Sequence, residues 1–401
     1  MVDSGQRRAL AFLALAMLLA MATWFSASAV VRQLTVAWSL STSEAAWLTI
    51  AVQLGFVVGA LVSAALNLAD VHPPRGVFAV AAVAAAFVNA LLVFADGAVP
   101  GITLRFLTGA FLAGVYPPAM KVVATWFRDG RGVALGVAVG ALTLGSAMPH
   151  LVNSLGGVAW ETVIMATSAL TIIGGGVMWL LVQDGPFPFP RAPFDPSQIG
   201  KVFANRGVRL ASAGYFGHMW ELYAMWAWFL PFFADSLDAA GMGSRSFAAL
   251  GTFAVIGSGA VGCYVGGVLG DRWGRSRTTS AAMLISGASA LTIGFAFGRA
   301  PWLVLAIGIV WGISVVADSA QFSTVVTEVA DPTYVGTALT LQLAVGFTLT
   351  VATIWLVPIV RDASSWWWAF AMLAAGPALG VAAMQRLQRS PEAAAIAGGR
   401  G

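Results

Sequence analysis

The chain has 401 residues, of which 59% are hydrophobic and only 9% charged, with a net charge of +4. An ordinary soluble domain is about a quarter charged, so this chain lacks the polar groups to cover a water-facing surface. A single cysteine, Cys263, excludes an intrachain disulfide, and the positive charge sits mostly in short loops, where it sets membrane topology rather than marking a nucleic-acid surface.

The apolar residues fall into runs separated by short polar breaks, each near the ~20 residues needed to cross a ~30 Å hydrocarbon core. They predict an all-α membrane protein with twelve transmembrane helices, at 9–36, 45–69, 76–95, 101–126, 131–155, 158–182, 209–234, 246–269, 278–297, 301–326, 335–359 and 365–385. The runs are too long and too evenly apolar for barrel strands, which alternate over about ten residues. The first run follows Arg7 and Arg8, and Ser26-Ala27-Ser28-Ala29 loosely resembles a signal-peptidase site. A signal h-region is only about 7–15 residues long, whereas this run extends from Ala9 to Val31, so it is read as a retained helix. The 45 glycines suit close helix approach in lipid.

Asp184–Arg206 is the longest stretch outside the runs, and Pro186, Pro188 and Pro190 prevent a continuous helix there. The expected organisation is a first six-helix bundle (1–183), a cytoplasmic linker (184–206), a second six-helix bundle (207–390) and a cytoplasmic tail (391–401). Asp70 after the second helix and Asp271 after the eighth lie half a chain apart, as a six-plus-six duplication requires. With both termini cytoplasmic, only Arg32, Arg105, Arg245, Arg299 and Arg361 among the 21 Lys and Arg residues lie on the outer side. Basic loops stay inside, which places the chain as a multi-pass protein of the inner (plasma) membrane.

The loop Gly267-Val268-Leu269-Gly270-Asp271-Arg272-Trp273-Gly274-Arg275-Ser276-Arg277 resembles the cytoplasmic signature loop of the major facilitator superfamily, at Gly267, Asp271, Arg272, Gly274, Arg275 and Arg277. In the first-half copy only Asp70 and Arg75 fit; Leu66, Val71 and Pro73 stand where the pattern has Gly, a basic residue and Gly. Arg105-Phe106-Leu107-Thr108-Gly109 is similar to the family's fourth-helix element, and Gly130-Arg131-Gly132 and Val335-Gly336-Thr337 to its helix starts. Gly140 and Gly145 match the spacing of the antiporter element, but Ser146, Pro149 and His150 depart from it. The resemblance implies two bundles, alternating access, and a gating latch in which Asp271 faces the start of helix five and Asp70 that of helix eleven. The alternative is that these loops only set topology. The departure in helix five leans toward uptake or symport.

Ionisable groups inside membrane helices cost ~2.5–3.5 kcal/mol at the centre on insertion scales, so they face a cavity or a partner. Glu221 lies near the middle of helix seven with His218 one turn before it. They are read as a proton-coupling or substrate pair, or as a structural pair between helices. Trp311, Ser314, Asp318 and Gln321 form one stripe on helix ten. It faces either substrate or a neighbouring helix. On helix one Trp24, Ser28 and Arg32 repeat at one-turn spacing, and Arg105 enters from the same side on helix four. Arg32 and Arg105 are expected to attract an anion, unless Arg32 only snorkels to lipid headgroups. His150, Ser146 and Asn153 share the outer end of helix five; Gln53, Asn89, Tyr116 and Gln342 are further pore-facing candidates, and Lys121 is expected to snorkel.

The chain carries no Lys-ending phosphate loop, no His-Glu-x-x-His helix and no paired cysteines. No cofactor, metal or enzymatic activity is therefore expected, and transport would be driven by a gradient. The expected function is proton-coupled uptake of a small, anionic solute by a monomer, with solute, protons and lipid as partners and no nucleic acid. Efflux of hydrophobic compounds by proton antiport is the alternative within the class, and a non-transporting receptor on the same fold the alternative outside it.

Overall fold

A computed structural model of the chain describes residues 4–128, 130–156, 158–187 and 194–401, with backbone alone for Asp70 and Arg131. The expected latch carboxylate of Asp70 and the linker residues Pro188, Pro190 and Arg191 lie outside the described atoms.

Eleven helices among the described residues are long and apolar enough to cross a membrane. In chain order they are α1 (beginning Ser4–Ala20), α2 (Thr42–Ala65), α3 (Pro74–Ala90), α4 (Ala98–Leu112 with Tyr116–Trp126), α5 (Arg131–Asn153), α6 (Trp160–Leu181), α8 (Arg245–Trp273), α9 (Arg275–Thr292), α10 (Pro301–Ala317 with Ser319–Val329), α11 (Val335–Ala363) and α12 (Trp366–Ala371 continuing through Ala375–Gln388). Between α6 and α8 lies α7, Arg206–Ala239, whose 34 residues exceed the length needed. Its hydropathy is lowered by His218, Glu221, Asp235, Asp238 and its many Trp and Tyr residues. The twelve elements stand where the apolar runs placed them.

Three of the predicted continuous helices are broken. In α1 a short 3-10 turn, Met21–Thr23, is followed by Ser26–Ala29 and Val31–Ala37. In α4 the helix stops at Leu112 and restarts at Tyr116, where Pro117 and Pro118 occupy the first turn and lack the N–H that a continuous helix would need. In α10 the break falls at Asp318. A broken helix leaves backbone groups unpaired, and in lipid they must find partners within the protein.

Packing is closest where glycine removes the side chain. Gly55 of α2 and Gly109 of α4 sit against the backbone carbonyls of Phe106 and Val52, so a Cβ at either position would collide with backbone. The first six and last six helices meet along α5 and α8, which run antiparallel from Gly132 beside Gly267, through Gly136 beside Cys263, to Gly156 beside Ser246. A second seam joins α2 to α11, where the Phe56 and Phe347 rings lie 4.5 Å apart.

Candidate functional site

A cavity of about 200 Å³ opens between the two sets of helices at the end of the bundle remote from the termini. Its walls include Ser28 and Arg32 of α1, Thr49 of α2, Trp228 and Asp235 of α7, and Arg361 of α11. Arg32 Nη2 donates to Asp235 Oδ1 across the two halves, and its Nη1 stands 3.8 Å from Asp238 Oδ2. The other Asp235 oxygen accepts the Trp366 indole N–H at 3.0 Å. Arg361 lies 5.2 Å above the Trp366 ring. The vestibule thus holds two guanidinium groups, one of them bridging the halves.

One turn deeper on the same faces, the vestibule is closed by aromatic rings. Trp24 contacts Phe56 at 4.9 Å and Phe347 at 5.8 Å, and Tyr223 contacts Phe347 at 5.1 Å. Phe25 meets Trp226 edge-on at 5.8 Å. Within this layer the Trp24 and Trp226 indole N–H groups and both amide atoms of Gln53 are buried without a hydrogen-bond partner among the described residues. The same holds for both His150 nitrogens, Ser146 Oγ and Gln342 Nε2. An unpaired buried polar atom costs ~1–3 kcal/mol. Gln53 follows Thr49 of the vestibule wall by one helical turn. Asn153 is engaged instead, donating to the Ala29 carbonyl at 2.7 Å.

Arg105 does not reach the vestibule. It is fully buried inside the first six helices, where Nε donates to Leu48 O, Nη1 to Thr23 O, Ser26 Oγ and Asn89 Oδ1, and Nη2 to Trp24 O. The break in α1 frees the Thr23 and Trp24 carbonyls, and the planar guanidinium answers both while Asn89 ties in Ser168 of α6 at 3.0 Å. The expected anion contact is therefore occupied by backbone in this conformation.

A second knot lies inside the last six helices. Glu221 accepts from Ser286 Oγ of α9 at 2.8 Å and from Trp311 Nε1 of α10 at 2.7 Å. His218 does not pair with Glu221: its Nδ1 stands 2.8 Å from Asp318 Oδ1. One helical turn separates the two residues in sequence, but each side chain is drawn to a different part of α10. The stripe on α10 is likewise divided at the break at Asp318: Gln321 donates to Gly266 O of α8 and accepts from Arg275 Nη1 at the start of α9. None of these residues lines the vestibule.

At the opposite end, Asp271 Oδ1 approaches Gly132 at the start of α5 so closely that a side chain there would collide with it. Arg275 lies 3.6 Å from Asp271 and grips Glu328 of α10, with Nη2 to Oε1 at 2.8 Å and Nε to Oε2 at 3.0 Å. Gly274 takes a left-handed φ of +93° and packs against the Arg400 carbonyl. Gly267 abuts Gly132, and Arg272 and Arg277 are exposed. Arg75 donates to the Val182 carbonyl at 2.8 Å and lies 3.3 Å from Asp184, tying α3 to the end of α6.

Asp235, Arg361, Trp366, Ser286 and Glu328 did not stand out in the sequence. Asp235 and Arg32 are 203 positions apart, and no local pattern announces such a pairing. Groups of three or more His, Cys, Asp or Glu residues able to hold a metal are absent among the described residues.

A sequence model of the Major Facilitator Superfamily matches residues 13–349. The chain is 26% identical over 189 residues to the uncharacterized transporter ESBP6 of Saccharomyces cerevisiae, covering 44% of this chain and 28% of that protein. It is 26% identical over 183 residues to the MFS-type transporter pytF of Aspergillus terreus, covering 42% of this chain and 56% of that one. The chain thus spans little more than half of either curated relative at most. Among solved structures it resembles the proton:xylose symporter XylE bound to 6-bromo-6-deoxy-D-glucose, with a TM-score of 0.72, 13% identity and 96% of both chains covered. It also resembles a bacterial homologue of the human lysosomal transporter Spinster in an inward-facing conformation, with a TM-score of 0.63, 17% identity, and 98% of this chain and 94% of that one covered. At such identities the likeness concerns the fold, while the family match extends over most of the sequence: this all-helical, multi-pass membrane protein belongs to the Major Facilitator Superfamily.

Proposed function

We propose that this transporter takes up a small organic or inorganic anion together with protons, as a monomer in the inner (plasma) membrane with both termini cytoplasmic. The observation that carries the reading is the vestibule wall, where Arg32 is joined to Asp235 of the other half. A solute carboxylate arriving there offers Arg32 the same charge-assisted contact that Asp235 supplies, so binding exchanges an internal partner for the solute and loosens the bridge between the halves. The aromatic layer then parts, and the unpaired groups of Trp24, Gln53 and Trp226 become donors to the solute. The bundles 1–183 and 207–390 rock about this layer, with the Asp271–Gly132 contact acting as the latch on the cytoplasmic side. The linker 184–206 joins the bundles.

Glu221 and the His218–Asp318 pair supply the proton-responsive groups of the second bundle. Both are buried carboxylates on α7 and α10 without a Lys or Arg partner among the described residues. Efflux of apolar compounds is a second reading, favoured by the ring cluster of Trp24, Phe56, Tyr223 and Phe347 below the vestibule.

Uptake of labelled small carboxylic acids into sealed proteoliposomes tests the assignment. The reading expects saturable uptake of at least one acid, with KM raised strongly in Arg32→Gln. Uptake of no acid by the wild type, with retention or extrusion of apolar cations instead, would transfer the assignment to efflux.

A further inference from the structure

A second depression, which shares only Arg361 with the vestibule lining, lies on the last six helices at the same end as the vestibule. It has a volume of about 420 Å³ and is bordered by Arg299 from the turn between α9 and α10 and by Arg361, Ser365, Trp366 and Trp367 from the junction of α11 and α12, with Phe295 alongside. Arg299 is exposed and has no carboxylate within 4 Å among the described residues. Arg361 bonds Asp362 through Nε and Nη2 and stacks over Trp366, which leaves its Nη1 without a hydrogen bond among the described residues. Among the described residues, Asp362 is the one acidic neighbour that pairs with either arginine.

Two guanidinium groups over indole rings form a recognisable chemical surface. Guanidinium forks bind phosphate and carboxylate oxygens in pairs, and indole rings take the apolar remainder of an amphipathic anion. The rim also fits the level of a membrane–water interface, since Phe295 of the rim, and Trp302 and Trp368 close in sequence to Arg299 and Trp367, are each more than half exposed. We propose that this groove binds an amphipathic oxyanion, its phosphate or carboxylate held between Arg299 and Arg361 and its apolar part laid on Trp366 and Trp367. The ligand is either the phosphodiester headgroup of an anionic lipid or a free organic phosphate or carboxylate. The site has a physical route to the vestibule, because Arg361 lines both cavities and Trp366 donates to Asp235, the partner of Arg32. It does not depend on the transported solute being an anion.

The test uses the full chain in a neutral detergent, with two probes and Arg299→Gln beside wild type; Arg299 lies outside the vestibule, and the variant's melting in the absence of probe reports its folding. Phosphatidylglycerol retention, measured by native mass spectrometry against phosphatidylcholine, reads the lipid source. The melting shift with butyl phosphate reads the free-anion source. The proposal expects one probe to bind the wild type and to bind Arg299→Gln about tenfold more weakly, the weight of one charge-assisted contact. Which probe does so names the source. Equal binding of both probes to wild type and variant, or binding of neither to the wild type, overturns the site.

Discussion

Asp235 accepts hydrogen bonds from two sides of the vestibule at once, from Arg32 of the first six helices through Oδ1 and from Trp366 of α12 through Oδ2. Its carboxylate is therefore one point at which the two halves are joined at this face. Both partners of the ion pair are open to solvent, with Arg32 47% and Asp235 34% exposed, so the pair contributes only ~0–1 kcal/mol to stability. Its value lies in which state it favours. Asp235→Asn is expected to melt within about 2 °C of wild type while raising the labelling rate of a cysteine placed at Thr49, on the vestibule wall. An unchanged labelling rate would show that the bridge does not hold the vestibule.

Arg105 is predicted to act through architecture. Five acceptors from α1, α2 and α3 converge on one guanidinium with no carboxylate among them. Arg105→Met strands the Trp24 carbonyl at the break in α1 and leaves the Thr23 carbonyl with Ser26 Oγ alone, a loss of about 1–3 kcal/mol for the one orphaned group. Arg105→Lys keeps the charge but not the fork and should recover only part of it. Melting curves in detergent decide this; a variant as stable as wild type but unable to take up solute would place Arg105 back among the solute contacts.

Gln53 makes the opposite prediction. Its amide is buried with neither atom bonded among the described residues, so Gln53→Leu removes a ~1–3 kcal/mol penalty and should raise the melting temperature. On the proposed reading the same change removes a donor and an acceptor that would meet the solute below the vestibule, and it should lower uptake at least several-fold. A variant that is stabilised and fully active would show that the amide has no part in transport.

Cys263 is the chain's one thiol and is buried in the α5–α8 seam, with Sγ 3.8 Å from Thr143 Oγ1 and 3.6 Å from the Val316 carbonyl. It therefore reports opening of that seam without engineering. Gly136→Leu drives a side chain into the Cys263 backbone, and Asp271→Asn weakens the contact with the start of α5. Both should speed maleimide labelling of Cys263 several-fold relative to wild type. Equal rates in all three proteins would mean that the seam opens independently of the Asp271 contact.

The spans were legible because crossing a bilayer demands a run of apolar residues of set length, and that demand is local. α7 was placed by its apolar run, although Glu221 and His218 lower its hydropathy. The Asp271 loop was legible through its glycine and arginine spacing, and its carboxylate stands at Gly132 as the resemblance implied. Partners were harder to read. His218 and Glu221 share a helix face, yet Asp318 takes one and Ser286 with Trp311 the other, because neighbouring helices decide which lone pair is filled. The breaks in α1 and α10 carry no proline, and they become intelligible only once Arg105 and the Asp318 environment are seen in space. Arg32 was marked as an anion contact from its stripe with Trp24 and Ser28 and from Arg105 on the same side; that Asp235 already occupies it is a relation between distant parts of the chain.

The measurement that bears most directly on proton-coupled anion uptake is internal pH in sealed proteoliposomes as small organic acids are added outside, with wild type beside Glu221→Gln. Acidification beyond that of protein-free liposomes, confined to particular acids and lost in the variant although it folds, is the predicted result. Saturable acid uptake that leaves internal pH unchanged, or acidification as fast in Glu221→Gln as in wild type, would contradict the account.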